Sequence, residues 1–217
     1  MIEKILPSAV LAEEVFGDLP DVTLFPVEEA LIANAVEKRR REFATARACA
    51  RAALARLGVP PVPILAGPRG APQWPSGIVG SITHCAGYRC CAVGRACEVT
   101  TIGVDAEPHD ALPDGVLDAI ALERERLMIA DLATELPGVY WDRILFCAKE
   151  SVYKAWFPLA HRWLGFGDAD IEINPENNTF TARLLVPGPE VNGAEIAGFS
   201  GRWLVGDALI VTAIAVL

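Results

Sequence analysis

A helical pattern followed by short β-branched segments occurs in each half of the chain, and this order most constrains the fold. Helices are predicted over 27–57, between Pro26 and Gly58, and over about 140–157, before Pro158; a shorter one begins near Val116. Strand candidates lie at 78–84, 90–94, 99–107, 171–173, 181–186, 202–205 and 208–216. Because helices bury an apolar stripe on a sheet, this order predicts an α+β fold of two similar halves, residues 1–104 and 105–217.

The first predicted helix carries positive charge on its apolar side. Its core-facing stripe consists of Ile32, Val36, Phe43, Ala46, Ala50, Leu54 and Leu57. Arg39 falls within this stripe and Arg47 lies at its edge. A buried guanidinium is costly unless it meets an anion. Two interpretations remain open, a buried ion pair with a carboxylate of the chain or a contact with an anionic ligand.

The charge balance excludes one large class of partner. The 217 residues carry a formal net charge of -9, whereas a nucleic-acid binder needs an extensive basic face. Any anionic ligand must therefore meet local positive charge. The run Lys38-Arg39-Arg40-Arg41 is a candidate docking patch for a protein partner, with Arg39 turned inward, or else a solvated helix face.

Cysteine usage and hydropathy predict a cytoplasmic protein. The six cysteines form no C-x-x-C pair and are interpreted as packed thiols in a reducing compartment. The N-terminal segment contains Glu3, Glu13 and Glu14 and lacks the apolar core of a signal peptide. No stretch approaches 18 unbroken apolar residues, so no membrane segment is expected.

Two carboxylates lie at the end of the strand predicted over 99–107. Asp105 and Glu107 are two residues apart and therefore point to the same face. A divalent cation is the simplest relief for two such close like charges, and magnesium prefers carboxylate oxygens. The spacing fits either a metal site or an exposed acidic strand end.

The second helix has a charged stripe formed by Arg143, Glu150 and Lys154, opposite an apolar face. This stripe fits a solvated face with a Glu150–Lys154 ion pair at i, i+4. The aromatic residues Phe146, Tyr153 and Phe157 flank it, which also suits the wall of a cleft.

These motifs together resemble a known family. GVDAE at 103–107, followed by FCAKESVYKAW at 146–156, is similar to the paired signature of 4'-phosphopantetheinyl transferases of the Sfp and EntD type. The resemblance extends through RRREFATARACAR (39–51), GPRGAPQWP (67–75) and GSITHCAGY (80–88), and looks closest to the actinobacterial, mycobacterial-like branch. It implies two α+β halves related by a pseudo-twofold axis, with coenzyme A and a metal ion in the cleft between them.

The resemblance also implies roles for individual residues. The metal carboxylates would be Asp105, Glu107 and Glu150, binding magnesium, with manganese as the alternative. Lys154 would contact phosphate, and together with the three carboxylates it would form the catalytic group. The remaining residues implied to contact coenzyme A are Arg39, Arg47, Arg69, Thr83 and His84. Family members differ at the position of Arg69.

The implied reaction is an in-line phosphoryl transfer. A serine hydroxyl of an acyl or peptidyl carrier protein attacks the β-phosphate of coenzyme A, and adenosine 3',5'-bisphosphate leaves. Glu150 is the candidate general base. Carriers of fatty acid, polyketide, nonribosomal peptide and siderophore synthesis are the implied partners, and two halves within one chain suggest a monomer. The alternative hypothesis is a non-catalytic protein that binds coenzyme A or a nucleotide.

Overall fold

Two antiparallel sheets organise the chain in the computed structural model, which describes residues 1–206 and 208–217. The first sheet has the order β1 (Val10–Phe16), β3 (Tyr88–Arg95), β2 (Ile78–Cys85). The second has the order β4 (Thr101–Pro108), β10 (Leu209–Val216), β9 (Gly198–Gly206), β6 (Thr179–Leu184), β5 (Ala169–Asn174). A short hairpin pairs β7 (Glu190–Val191) with β8 (Ala194–Glu195). The α+β class expected from the sequence is confirmed.

Helices lie against both sheets. They are α1 (Pro26–Leu31), α2 (Glu37–Arg56), α3 (Val116–Ile120), α4 (Glu123–Glu135) and α5 (Trp141–Ala160). On α2, the buried Ala50 and Leu54 pack with Cys91 and Val93 of β3. On α5, the fully buried Ile144, Ala148, Val152 and Trp156 belong to the core of the second sheet. Among the described residues, no helix combines the length and the apolar character that crossing a bilayer requires.

The single helix predicted over 27–57 is wrong, because the chain breaks between α1 and α2. Val36 adopts an extended conformation as the N-cap of α2 and is 74% exposed, although it was expected in the apolar stripe. The Arg40 side chain donates to the carbonyls of Ile32 and Ala33, at 3.1 and 3.2 Å. These bonds satisfy carbonyls that the end of a helix leaves free, and so stabilise the break.

Helix α5 is longer than predicted, since it continues past Pro158 to Ala160. Its C-cap, His161, has a φ of 51° and donates its backbone N–H to the carbonyl of Phe157. A proline removes one hydrogen bond from a helix, and within the final turn this loss leaves most of the helix intact. Helical backbone is therefore retained through the whole motif that begins at Phe146.

The two sheets meet where β2 lies beside β4. The backbone N–H groups of Val104 and Ala106 donate to the hydroxyls of Ser81 and Thr83, each at 3.1 Å. Side chains thus replace a main-chain ladder at this junction. All eight residues of β4 belong to the second sheet, so the division expected between residues 104 and 105 falls inside this strand.

Strand β1 was not anticipated from the sequence, because Glu13 and Glu14 interrupt its apolar alternation. The carboxylate of Glu14 is held by the Tyr88 hydroxyl at 2.5 Å and pairs with the amino group of Met1. All six cysteines are free. Four of them are buried as expected of packed thiols, whereas Cys85 is half-buried and Cys97 is exposed.

Candidate active site

The candidate site is built where β4 lies directly against α5. The Thr101 hydroxyl donates to the carbonyl of Ala155 at 2.8 Å. At Gly103, an added Cβ would lie only 2.0 Å from the backbone oxygen of Ser151. Glycine therefore permits an approach that a larger residue would block. Since alternate strand residues share a face, the same face of β4 turns Asp105 towards the helix.

Asp105 is the most strongly held of the predicted carboxylates. Its Oδ1 accepts from Lys154 Nζ at 2.7 Å and from Thr83 Oγ1 at 3.1 Å, and Lys154 also donates to the carbonyl of Val104. Its buried Oδ2 has no hydrogen-bond partner in the part of the chain that the structure describes. Although burial opposes it, the charges of Asp105 and Glu150 hold the pKa of Lys154 above its usual value.

Glu107 follows two residues later and is paired with an arginine of α5. Arg143 Nη1 lies 3.0 Å from Glu107 Oε2, and the same guanidinium donates to the carbonyls of Asp110 and Ala111. Burial raises the pKa of Glu107, the charge of Asp105 raises it further, and Arg143 opposes both. Arg143 therefore fixes the segment that follows β4 as well as the carboxylate itself.

Glu150 approaches the same region from α5. Burial raises the pKa of this carboxyl, the charge of Asp105 adds to the effect, and Lys154 lowers it. Asp105 thus acts electrostatically on both glutamates. Over residues 1–206 and 208–217, no group of three or more His, Cys, Asp or Glu side chains is already arranged to hold a metal ion.

The chemistry of these donors, carboxylate oxygens, is nevertheless the kind that a divalent cation binds. The buried Oδ2 of Asp105 is a hard oxygen without a partner, and Asp105 raises the pKa of both Glu107 and Glu150. A cation would give the Oδ2 of Asp105 a partner and would offset the repulsion between the carboxylates, because it binds oxygen ligands and carries positive charge. Lys154 and Arg143 at present neutralise two of the carboxylates.

A cleft of about 620 Å³ opens beside this junction, between α2, the segment around residues 66–74, β2 and α5. Its charged and titratable lining consists of Arg39, Arg47, Arg69, His84, Glu150, Tyr153, Lys154 and His161. The cleft interpretation of the α5 stripe therefore holds for Glu150, Tyr153, Lys154 and Phe157. Phe146 instead packs on Phe166, with 6.1 Å between ring centroids.

Arg39 and His84 meet on one wall of the cleft. Arg39 Nη1 lies 2.6 Å from His84 Nε2, and because arginine only donates, Nε2 is the acceptor. The imidazole proton then sits on Nδ1, which is 3.9 Å from a carboxylate oxygen of Glu42. Burial lowers the pKa of His84, and the charge of Arg39 lowers it further. His84 is therefore neutral at pH 7, and both side chains border the space that a ligand would fill.

Two further arginines line the cleft with their guanidinium groups over aromatic rings. Arg47 lies 4.2 Å from the ring centroid of Phe43, and Arg69 lies 5.1 Å from that of Trp163. Arg69 has a φ of 55°, in the left-handed region, within the short 3-10 turn Pro68–Gly70. Its contact with Trp163 bridges the segment before β2 and the segment after α5.

The contacts of several further residues differ from those that the sequence predicted. Thr83, expected at coenzyme A, is almost fully buried and supports Asp105. The sequence placed Arg143 on the charged stripe of the helix but did not predict its ion pair with Glu107. The available signal was its spacing of seven residues from Glu150, which puts both side chains on one helix face. In the expected docking run, Arg40 binds backbone carbonyls and Arg41 pairs with Glu37 and Asp18.

The amino-acid sequence is similar to that of known proteins along most of its length. The family description "4'-phosphopantetheinyl transferase N-terminal domain" matches residues 27–94, and "4'-phosphopantetheinyl transferase superfamily" matches residues 101–193. The 4'-phosphopantetheinyl transferase Svp of Streptomyces mobaraensis is 56% identical, over 100% of this chain and 89% of that protein. Npt of Nocardia iowensis is 52% identical, over 99% of both chains. PptT of Mycobacterium tuberculosis is 50% identical, over 99% of this chain and 97% of that protein.

Proposed function

Because the chain belongs to the 4'-phosphopantetheinyl transferase superfamily, we propose that its cleft binds coenzyme A between α2 and α5. The chain is an enzyme that transfers phosphopantetheine from coenzyme A to carrier proteins, and its relatives are named 4'-phosphopantetheinyl transferases. The observation that carries the assignment of the site is the junction of β4 and α5. There Asp105, Lys154 and Glu150 stand at the edge of a basic cleft in an otherwise acidic protein.

The same junction would hold magnesium, with manganese as the alternative. The ligands would be the carboxylates of Asp105, Glu107 and Glu150, and the partnerless Oδ2 of Asp105 supports this assignment. When bound, a divalent cation neutralises charge on the diphosphate oxygens and on the leaving group. Lys154 and Arg143 hold two of these carboxylates in place.

The basic residues of the cleft would bind and orient the substrate. Arg39, Arg47 and His84 line the α2 side and would take the 3'-phosphate end of coenzyme A, with Arg69 at the rim. Lys154, beside Asp105, would contact the diphosphate. Fixing the phosphates at both ends aligns the β-phosphate with the attacking serine hydroxyl of the carrier, and such alignment supplies a large part of phosphoryl-transfer catalysis.

Glu150 is the candidate acceptor of the serine proton. It lines the cleft, and its raised pKa makes it a stronger base than an exposed glutamate. The proton would pass from the serine hydroxyl to a carboxylate oxygen of Glu150 as the new oxygen–phosphorus bond forms. Adenosine 3',5'-bisphosphate would then leave towards the α2 side.

We also propose that the protein acts as a monomer in the cytoplasm, without nucleic acid or membrane. Both elements that carry the carboxylates come from one chain, so no partner copy is needed to complete the site. The net charge of -9 disfavours nucleic acid. Partners are expected among carriers of fatty acid, polyketide, nonribosomal peptide and siderophore synthesis.

Incubation with coenzyme A, magnesium chloride and an apo acyl carrier protein, followed by intact-mass measurement, tests this function. We expect the carrier to gain the mass of one phosphopantetheine group, and chelation by EDTA to prevent it. Asp105→Ala and Glu150→Ala should lower the rate by at least about 100-fold while the proteins remain folded. Binding of coenzyme A without any mass gain would instead identify a non-catalytic binding protein.

A further inference from the structure

A fully buried carboxylate lies behind the arginine wall of the cleft. Glu28, the third residue of α1, is 0% exposed. Its Oε2 accepts from the backbone N–H of Phe25 at 3.0 Å and from Arg51 Nη1 at 2.9 Å. Its Oε1 accepts from the backbone N–H of Ile64 at 2.9 Å and lies 3.8 Å from Arg47 Nε. Burying a charge this completely is costly, so its partners must be firmly held.

Glu28 and Arg47 both form hydrogen bonds with the backbone of Ile64. Ile64 donates its N–H to Glu28, and its carbonyl accepts from Arg47 Nε at 2.9 Å. Ile64 itself is fully buried, which limits its movement. Together with the ring of Phe43 beneath the guanidinium, these contacts fix Arg47 before any ligand arrives. A side chain held in this way loses little conformational freedom when an anion binds.

The charges of this buried group do not balance. One carboxylate, Glu28, faces the two guanidiniums of Arg47 and Arg51, which leaves one excess positive charge. Arg47, unlike Arg51, lines the cleft. Burial lowers the pKa of Arg47, and Glu28 opposes this effect. The excess charge is therefore presented to the cleft, where an anion can neutralise it.

The second half of the chain contains a similar buried ion pair, but its cation, Lys149, does not line the cleft. Glu125 is the third residue of α4 and is also 0% exposed. It accepts from the N–H groups of Leu122 and Ile171, each at 2.7 Å, and pairs with Lys149 at 2.9 Å. Lys149 donates its other hydrogen bonds to backbone carbonyls. The pair Glu125–Lys149 is thus a structural counterpart of Glu28–Arg47.

We propose that Glu28 is a positioning residue for substrate binding, which orients Arg47 towards the 3'-phosphate of coenzyme A through the shared Ile64 peptide. This inference rests on the proposed function, since it needs coenzyme A in the cleft with its 3'-phosphate at α2. Glu28 does not touch the ligand. Its effect is on the affinity and selectivity of the cleft rather than on the chemical step.

The test compares Glu28→Gln with Glu125→Gln, which alters the matched carboxylate of the second half. For each variant, Kd and KM are measured with coenzyme A and with coenzyme A that lacks the 3'-phosphate. We expect E28Q to raise Kd and KM for coenzyme A about tenfold, because a charged hydrogen-bond partner is lost. At saturation, kcat should stay within about twofold, and the preference for the 3'-phosphate should fall. E125Q should keep that preference, although it too loses stability.

A third variant, Arg47→Gln, distinguishes a failure of the positioning role of Glu28 from a failure of the proposed function. If R47Q loses the preference for the 3'-phosphate while E28Q keeps the parental Kd and preference, the positioning role of Glu28 is wrong and the proposed function stands. If R47Q itself binds both ligands like the parent, the place of Arg47 in the proposed function is wrong, and the role of Glu28 with it. Should E28Q not fold, Glu28→Asp takes its place; it keeps the charge but shortens its reach, and an unchanged preference there overturns the inference equally.

Discussion

Replacing Gly103 by alanine tests whether the contact between β4 and α5 sets the geometry of the site. A Cβ at this position would lie 2.0 Å from the oxygen of Ser151 and 2.8 Å from the nitrogen of Ala155. Cβ atoms in real proteins essentially never approach heavy atoms closer than 3.0 Å. Because both neighbours are backbone atoms, no side-chain rotation relieves the clash. The helix must therefore move away from the strand by about 1 Å.

The cost of this displacement follows from the contacts that it disturbs. Overpacking of a dense core costs about 1–3 kcal/mol. Stretching the bond from the Thr101 hydroxyl to Ala155 adds about 1 kcal/mol. The free energy of unfolding should therefore fall by about 2–4 kcal/mol. Asp105 lies on the strand and Glu150 on the helix, so a shift of about 1 Å between them should lower the transfer rate about 100-fold.

Urea denaturation measures the stability of Gly103→Ala, and the mass gain of the carrier protein at saturating coenzyme A measures its rate. Gly167→Ala is the matched control. A Cβ on residue 167 would meet no heavy atom within 4 Å, and its φ is outside the positive range. The control should behave like the parent protein. If G103A keeps the parental stability and rate, glycine is not needed for the close approach of α5 to β4. If G103A keeps the parental rate but is less stable, this contact stabilises the fold without setting the geometry of the site.

Two further predictions concern a buried lysine, Lys149, and a half-buried histidine, His84. Lys149→Met should lower the free energy of unfolding in urea by about 3–5 kcal/mol, because Glu125 would be left buried without its counter-charge; a loss below about 1 kcal/mol would contradict this. The pKa of His84 is lowered from its ordinary 6.5, so the unfolded chain takes up this proton first and stability falls as the pH drops below 6.5. His84→Gln should therefore lose less stability between pH 6.5 and about 5 than the parent, and an equal loss would contradict the shift.

Periodicity explains the parts of the site that the sequence could predict. The alternation of a strand places Asp105 and Glu107 on one face, and the helical period places Glu150 and Lys154 on one stripe. Both patterns depend only on near neighbours in the chain. The family resemblance then linked the strand and the helix, which no local pattern could do. The observed contact of Lys154 with Asp105 joins them directly.

Contacts between distant segments decided what the sequence could not predict. The break between α1 and α2 depends on Arg40 reaching back to the carbonyls of Ile32 and Ala33. Apolar periodicity passes through this break unchanged, so the pattern gave no warning. The role of Thr83 depends on β4, which follows it by about twenty residues in the chain and lies beside it in space. Burial and pairing of this kind arise only in the folded protein.

The charges at the junction of β4 and α5 leave it slightly acidic. The carboxylates of Asp105, Glu107 and Glu150 face the cations Lys154 and Arg143, which leaves one net negative charge. Burial is the main cause of the raised pKa of both glutamates, and the charge of Asp105 adds to it. Under the proposed function, a bound divalent cation would reverse the sign of this net charge and would favour the binding of a diphosphate.

The other end of the cleft has the opposite polarity without any added ion. The buried group around Glu28 carries one excess positive charge, and Arg39 lies on the same wall, 3.9 Å from a carboxylate oxygen of Glu42. Coenzyme A carries phosphate at two places, on the ribose and in the diphosphate. Under the proposed function, the α2 end of the cleft would bind the ribose phosphate, and the α5 end would bind the diphosphate together with the metal ion. The protein's overall charge of -9 opposes this at long range, so selectivity must come from contacts within about 10 Å, where screening is weak.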